Sequence, residues 1–396
     1  MQLSHRIETL TPGGSDGWEV FYKAKALIAQ GVAVTELTIG EHDIRTDPAI
    51  LQAMDASARG GRTGYSEIPG IGALRDRVAA RITERTGVTT GRDNVLITPG
   101  GQAGLFAAHC AVCDPGDAAL FIDPYYVTYP GTLRAAGARP VSVPTRAEDG
   151  FRPRKAAILA AAEGAAAKSL LINSPNNPTG AIYDRETLES IGGACVEAGL
   201  WLISDEVYDT QIWDGAHLSP RTLPGMADRT LVIGSMSKSH AMTGSRCGWI
   251  IGPDHAIARL ISLATHTTYG VPGFVQDAAL FALDQGPELE ELVAAPFRRR
   301  RALALRILAA QNTLRMLPPQ GAMYLMLDVR ATGLSGNAFA DALLDAERIA
   351  VMPGESFGQA AAGHIRVAMT IEDEAFAAAL ERLCGFAAKL AATQAG

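Results

Sequence analysis

SLLINSPNNPTGAIYDRETLESIGGACVEAGLWLISD, residues 169–205, decides how this chain folds. Its ends, Ser169–Asn173 and Leu200–Asp205, are short β-rich runs, each closing on a polar residue. Between them stand the turn-rich Asn173-Ser-Pro-Asn-Asn-Pro-Thr-Gly180 and a run with helical spacing, Arg185–Ala198. Strand, loop, helix and strand in that order form the unit that lays two strands parallel, because parallel neighbours need a crossover. The texture recurs on both sides, in Val95–Thr98, Ala119–Asp123, Pro140–Pro144, Thr230–Gly234 and Gly248–Ile251, with Ala-rich helical stretches between most of them. The expectation is an α/β fold: a mainly parallel seven-stranded sheet with helices on both faces. Such sheets bind ligands outside the carboxyl ends of their strands.

Composition narrows the function. The chain has 396 residues, with 35 Lys+Arg against 42 Asp+Glu, a net charge of −7, and 47% hydrophobic residues. An acidic chain lacks the basic field that nucleic acid requires. The hydrophobic share is too high for a disordered acidic protein, and the length buries a core without disulfide or metal support. No apolar run approaches the ~20 residues that span a bilayer, and Met1–Leu10 lacks a signal-peptide core. A cytoplasmic protein, with neither nucleic acid nor membrane as partner, is expected. Cys110, Cys113, Cys195, Cys247 and Cys384 are an odd, scattered set that reads as reduced thiols. Cys110-x-x-Cys113 has half the spacing of a zinc site but no second Cys/His pair. Its place beside Leu105–Val112 marks two small core residues, and no metal is expected.

The last third differs. A basic helical stretch, Phe297–Gln311, precedes Ala322–Val329, short strands near Ile349–Met352 and His364–Met369, and a final amphipathic helix, Glu372–Ala391. This texture predicts a smaller α+β domain, made discontinuous by a helix at Lys23–Gln30 that packs with it. The run Arg298–Arg301 reads as a solvated helix face, since four consecutive residues spread around a helix.

Chemistry-bearing residues gather at strand ends. Ser235-Met-Ser-Lys-Ser239 follows Thr230–Gly234, with Arg246 downstream. The Lys238 amine can condense with an aldehyde, while Ser235, Ser237 and Arg246 can hold a phosphate. An aldehyde bearing a phosphate is pyridoxal 5′-phosphate (PLP). Asp205 can pair with a pyridinium nitrogen, and Tyr208 follows it. Asn177 can hydrogen-bond a phenolic oxygen. Thr98-Pro-Gly-Gly-Gln-Ala103 opens a helix where a phosphate can sit. In Asp123-Pro-Tyr-Tyr-Val127 an aromatic can stack on a flat ring. Arg366, among apolar neighbours, wants either a carboxylate ligand or a buried ion pair.

These segments, from about Gly40 to Arg366, resemble the class I/II aminotransferases of PLP fold type I, the aspartate aminotransferase family, and stand in its order. The resemblance implies that Lys238 holds the cofactor covalently and later carries a substrate proton. It implies that Asp205 pairs with the ring nitrogen, that Asn177 and Tyr208 bond the phenolic oxygen, and that Tyr126 stacks on the ring. Gly101, Gln102, Ser235, Ser237 and Arg246 would surround the phosphate, and Tyr65 would reach the phosphate of the neighbouring subunit of a homodimer. Arg366 and the backbone at Gly40 would hold the substrate α-carboxylate. The implied organisation is an N-terminal arm with part of the small domain (1–45), a large cofactor-binding domain (46–294) and a C-terminal small domain (295–396).

One departure bears on substrate. Relatives specific for dicarboxylates often carry Lys where Gln102 stands. The segment Gly13–Val20, expected at the substrate side chain, contains Asp16, Trp18 and Glu19. A basic or neutral amino donor is therefore expected over aspartate, with a 2-oxo acid as acceptor in a ping-pong reaction. Ser239-His-Ala-Met-Thr-Gly244 and Pro224-Gly-Met-Ala-Asp228 are similar to bacterial arginine–pyruvate transaminases. A PLP-dependent carbon–sulfur lyase or cyclopropane-forming synthase would share Lys238, Asp205 and Arg366, so these motifs leave those alternatives open. A non-catalytic effector sensor fits poorly, because the residues before Gly40 are few and not basic.

Overall fold

The computed structural model describes residues 1–11 and 17–394. After a two-residue strand, Thr35–Glu36 (β1), come Val95–Thr98 (β2), Ala118–Asp123 (β3), Arg139–Pro144 (β4), Ala167–Asn173 (β5), Trp201–Asp205 (β6), Thr230–Ser235 (β7) and Gly248–Ile251 (β8). The seven from β2 to β8 make the central sheet, in the order β2-β8-β7-β6-β5-β3-β4. Only β8 runs antiparallel to its neighbours; the remaining pairs are parallel. The strands are those expected from the sequence, with ends moved by a residue or two. Strands such as Ala118–Asp123 and Thr230–Ser235 are buried at every position, the mark of a sheet covered on both faces.

Register brings the polar strand ends together. Asn173 lies opposite Asp205, and Ser235 and Thr98 both lie opposite Gly248. Gly248 has to be glycine, because a Cβ there would run into the Gly234 carbonyl and the backbone at Gly100–Gly101. The sheet edge, the phosphate-loop candidate and the end of β7 can meet only at a residue without a side chain.

A second, antiparallel sheet contains Arg315–Met316 (β9), Tyr324–Asp328 (β10), Met352–Pro353 (β12) and His364–Ala368 (β13), while Ile349–Ala350 (β11) pairs parallel with β1. The N-terminal helix, Glu19–Ala29, buries Val20 and Ala24 in the same apolar cluster as Phe339, Leu343, Leu380 and Leu383.

The helix carrying the basic run spans Pro287–Ala309, beginning ten residues before Phe297 and passing unbroken through residue 294. A solvated face describes only part of the run. Exposed Arg298 and Arg299 pair with Glu291 and Asp373. Arg300 is buried, bidentate on Asp43 at 2.9 and 2.6 Å and bonded to Asp373 at 2.9 Å. Successive helical residues turn by about 100°, so one of four adjacent arginines must face inward. All five cysteines are free; Cys113 is buried and Cys110 half-buried. No described helix is long and apolar enough to cross a membrane.

Candidate active site

The carboxyl ends of β5, β6 and β7 and the start of helix Gly100–Val112 open on a cavity of about 410 Å³. Gly40, Gly101, Gln102, Tyr126, Asn177, Asp205, Tyr208, Ser235, Ser237, Lys238, Arg246 and Arg366 all line it. Tyr65 does not: it is 93% exposed, edge-on to Tyr269 with ring centroids 5.2 Å apart.

Lys238 stands on a single helical turn, Met236–Ser239, entered directly from β7. Its amine donates to the Gly40 carbonyl. It keeps a face open to the cavity yet is enclosed by protein at longer range, and this burial lowers its pKa to about 8. Arg366 and Arg246 push the same way, against the pull of Glu41. At pH 7 about a tenth of the amine is then neutral, against well under a thousandth for an ordinary lysine. That is the form able to attack a carbonyl.

Asp205 is buried at the end of β6. The Tyr129 hydroxyl donates to Oδ2 at 2.6 Å and the Val207 amide to Oδ1 at 3.3 Å. Burial raises its carboxyl to about 6 despite the Tyr129 bond, so a cationic partner would be strongly welcomed. The turn that follows is anchored through Asp209, which accepts from Arg81 at 3.3 Å and Arg85 at 2.7 Å. Both arginines share Glu290.

Tyr208 and Tyr324 meet hydroxyl to hydroxyl at 2.8 Å, and Asn177 Nδ2 donates to Tyr324 at 3.4 Å. Asn173 fixes this loop: its side-chain oxygen accepts from the Asn177 amide at 2.8 Å and its nitrogen donates to the Asp205 carbonyl at 2.9 Å. Gly40 is confined to glycine because a Cβ would overlap the Tyr324 hydroxyl.

Arg366 is 1% exposed and has no carboxylate partner among the described residues. Its guanidinium lies 4.4 Å from the ring centroids of both Tyr324 and Phe357. It donates to Asn177 Oδ1 at 2.9 Å and to the Thr38 carbonyl, leaving Nε without a hydrogen-bond partner among the described residues. A buried cation held by neutral groups calls for an anion.

At the other end, Ser235 Oγ donates to Ser237 Oγ at 2.9 Å, and Arg246 is steadied by the Thr243 carbonyl at 2.8 Å. The Arg246 fork lies against Gly100, where any Cβ would collide with it. Gln102 is fixed by Thr132 at 2.6 Å and Thr128 at 3.2 Å. Gln102 and Trp18 also line a second chamber of about 670 Å³, with Glu19, Tyr22, Tyr125, Arg134 and Glu355. Asp16 lies outside the described residues.

The family model for aminotransferase class I and II matches residues 32–383. The chain belongs to that family. An arginine–pyruvate transaminase of Pseudomonas aeruginosa is 42% identical over 391 residues, covering 98% of this chain and 99% of that one. An aspartate/prephenate aminotransferase of Thermus thermophilus is 35% identical, covering 96% and 97%. The structure of the Thermus thermophilus aspartate aminotransferase with maleate superposes with a TM-score of 0.90 at 34% identity, covering 97% and 99%.

The aminotransferase is a PLP enzyme of fold type I, and its cavity fits that cofactor. Ser235, Ser237, Arg246 and the first-turn amides at Gly101 and Gln102 form a donor set of the kind phosphate needs. Buried Asp205 suits a protonated ring nitrogen. When bound, PLP supplies an electron-withdrawing ring that stabilises negative charge at a substrate carbon. The sequence reading missed Tyr324, which is followed in its strand by the apolar run Leu325–Leu327. It also missed Tyr129, which opens the helix Tyr129–Ala135 three residues after Tyr126. Trp18 was noted only as a neighbour of the substrate side chain, and Glu41 and Phe357 carry no motif.

Proposed function

We propose that this aminotransferase moves the amino group of a basic or neutral L-amino acid to a 2-oxo acid by a ping-pong mechanism. Arg366, a buried cation with no anionic partner among the described residues, carries the reading: it would hold the carboxylate that donor and acceptor share. Lys238, part-neutral at working pH, would take the Cα proton as general base. Asp205 would hold the ring nitrogen protonated, with Asn177 and Tyr208 on the phenolic oxygen and Tyr126 against the ring. Burial pushes the Tyr126 phenol up to about 12, so it would stay neutral there.

The donor class rests on the second chamber. Neutral Gln102 lines both cavities, and Glu19 and Glu355 outnumber Arg134 on the wall of the second. The arginine–pyruvate transaminase relative supports the same choice. The test is kcat/KM for arginine, lysine, alanine and aspartate, with Glu19→Gln beside wild type. Aspartate is expected to trail arginine by about 10-fold or more, and Glu19→Gln to lower arginine turnover by about 2- to 5-fold. A preference for aspartate, or basic donors indifferent to Glu19→Gln, defeats the donor assignment and leaves the family assignment standing.

We further propose a homodimer in which Tyr65 completes the phosphate end of the neighbouring site. Its 93% exposure beside half-exposed Tyr269 supports a covering partner. Mixing Tyr65→Phe subunits with Lys238→Ala subunits should restore one wild-type-like site per hybrid. A fully active monomer would overturn this.

A further inference from the structure

The single turn Met236–Ser239 leaves Lys238 at a helix end, where backbone carbonyls lack intrahelical donors. The amides of His240 and Met242 both return to Met236, at 3.2 and 3.4 Å, and neither reaches Lys238. Two side chains from distant parts of the chain do reach it. His42 Nε2 lies 3.1 Å from the Lys238 carbonyl oxygen, and Gln211 Nε2 donates to the same atom at 3.3 Å.

We propose that His42 and Gln211 clamp the backbone carbonyl of Lys238 and act as positioning residues that aim its amine at the cofactor aldehyde. The proposal rests on the assignment of Lys238 as the cofactor-binding lysine. A carbonyl only accepts, so His42 must carry its proton on Nε2 and leave Nδ1 bare. His42 Nδ1 and Gln211 Oε1 are both buried without hydrogen-bond partners among the described residues. His42 is 4% exposed and Gln211 0%. Two buried polar side chains, each leaving half its bonding capacity unused to reach one oxygen, make poor packing elements. They make sense as donors whose target matters.

The surroundings strengthen the grip. Gly40, two residues before His42, accepts from the Lys238 amine, so one short segment holds the lysine at both its carbonyl and its nitrogen. Asp43 locks that segment to buried Arg300, and Thr38 accepts from Arg366. The backbone carbonyl of Gln211 accepts from Ala322, close to Tyr324. The groups facing His42 are Lys238, Asp43 with its Arg300 partner, and the Phe297 ring, which is T-shaped to it with ring centroids 5.4 Å apart. Burial holds His42 neutral down to about pH 3, so it stays a one-proton donor at working pH.

The test compares His42→Leu, which keeps bulk and removes the donor, with His42→Gln, which keeps a donor near Nε2, and Gln211→Leu. The readouts are the rate at which apoprotein captures added PLP, the pH midpoint of the bound cofactor's visible absorbance, and kcat and KM. His42→Leu and Gln211→Leu should each slow capture by about 3- to 10-fold and lower kcat comparably, with donor KM within about 2-fold. The midpoint should move by about half a unit or more, and His42→Gln should recover most of each loss. The clamp is refuted if folded His42→Leu and Gln211→Leu capture and titrate PLP as wild type does. It is equally refuted if His42→Gln fails as His42→Leu does while the midpoint stays fixed. Should His42→Leu not fold, Gln211→Leu alone decides on the same readouts.

Discussion

Lys238→Ala is expected to lower kcat/KM by about 10⁴-fold or more, because it removes both the nucleophile and the general base of the proposed reaction. The fold should survive. Lys238 lies on a turn that alanine favours, and its carbonyl, clamped by His42 and Gln211, does not depend on the side chain. Loss of the amine frees the Gly40 carbonyl but also removes a half-buried group whose charged form burial disfavours. The thermal midpoint of the apoprotein should therefore stay within a few degrees of wild type, while PLP washes out on dialysis. A variant that keeps dialysis-resistant cofactor would move the assignment to another lysine.

Asp205→Asn is expected to cost about 10²- to 10³-fold in kcat, the scale of losing one preorganised charge from a buried site. Its effect on the empty protein should run the other way. In the folded apoprotein the Asp205 carboxyl titrates near 6, above the ordinary value of 3.8. Between those values the folded state holds a proton that the unfolded chain has released. Stability therefore falls as pH rises through that window, by roughly 3 kcal/mol at most, and stays lost above it. Asparagine has no such proton and can still accept from Tyr129. At pH 8 the Asp205→Asn apoprotein should melt at or above wild type, yet gain less from added PLP, whose protonated ring nitrogen is the partner proposed for Asp205. A wild-type response to PLP in the variant would remove Asp205 from that role.

Fold and candidate site residues were legible to different depths for physical reasons. Parallel strands buried on both faces are continuous apolar runs, so β3 and β7 could be read directly. The polar last residues of β6 and β7 mark the ligand side, so Asp205 and Ser235 stood out as candidates. Arg366 was recognisable as an arginine out of place, but its lack of an ionic partner among the described residues is a tertiary fact. Tyr324 faces the cavity from a strand of the second sheet, where nothing local separates it from core. Arg300 was misjudged because the helix phase that turns one arginine of four inward is set by Asp43 and Asp373, far away in sequence. His42 sits beside Gly40 without any pattern to mark it, since its target is a backbone oxygen 196 positions on.

The central claim, that this chain transfers an amino group through Lys238, is tested most directly by adding an amino donor with no acceptor to PLP-loaded wild type and Lys238→Ala. The quantity to count is 2-oxo acid and ammonia released per subunit. The account predicts about one oxo acid per wild-type subunit, then arrest until a 2-oxo acid is supplied, with no ammonia and almost nothing from Lys238→Ala. Continuous release of ammonia or thiol without an acceptor, or an equal burst from Lys238→Ala, would contradict it.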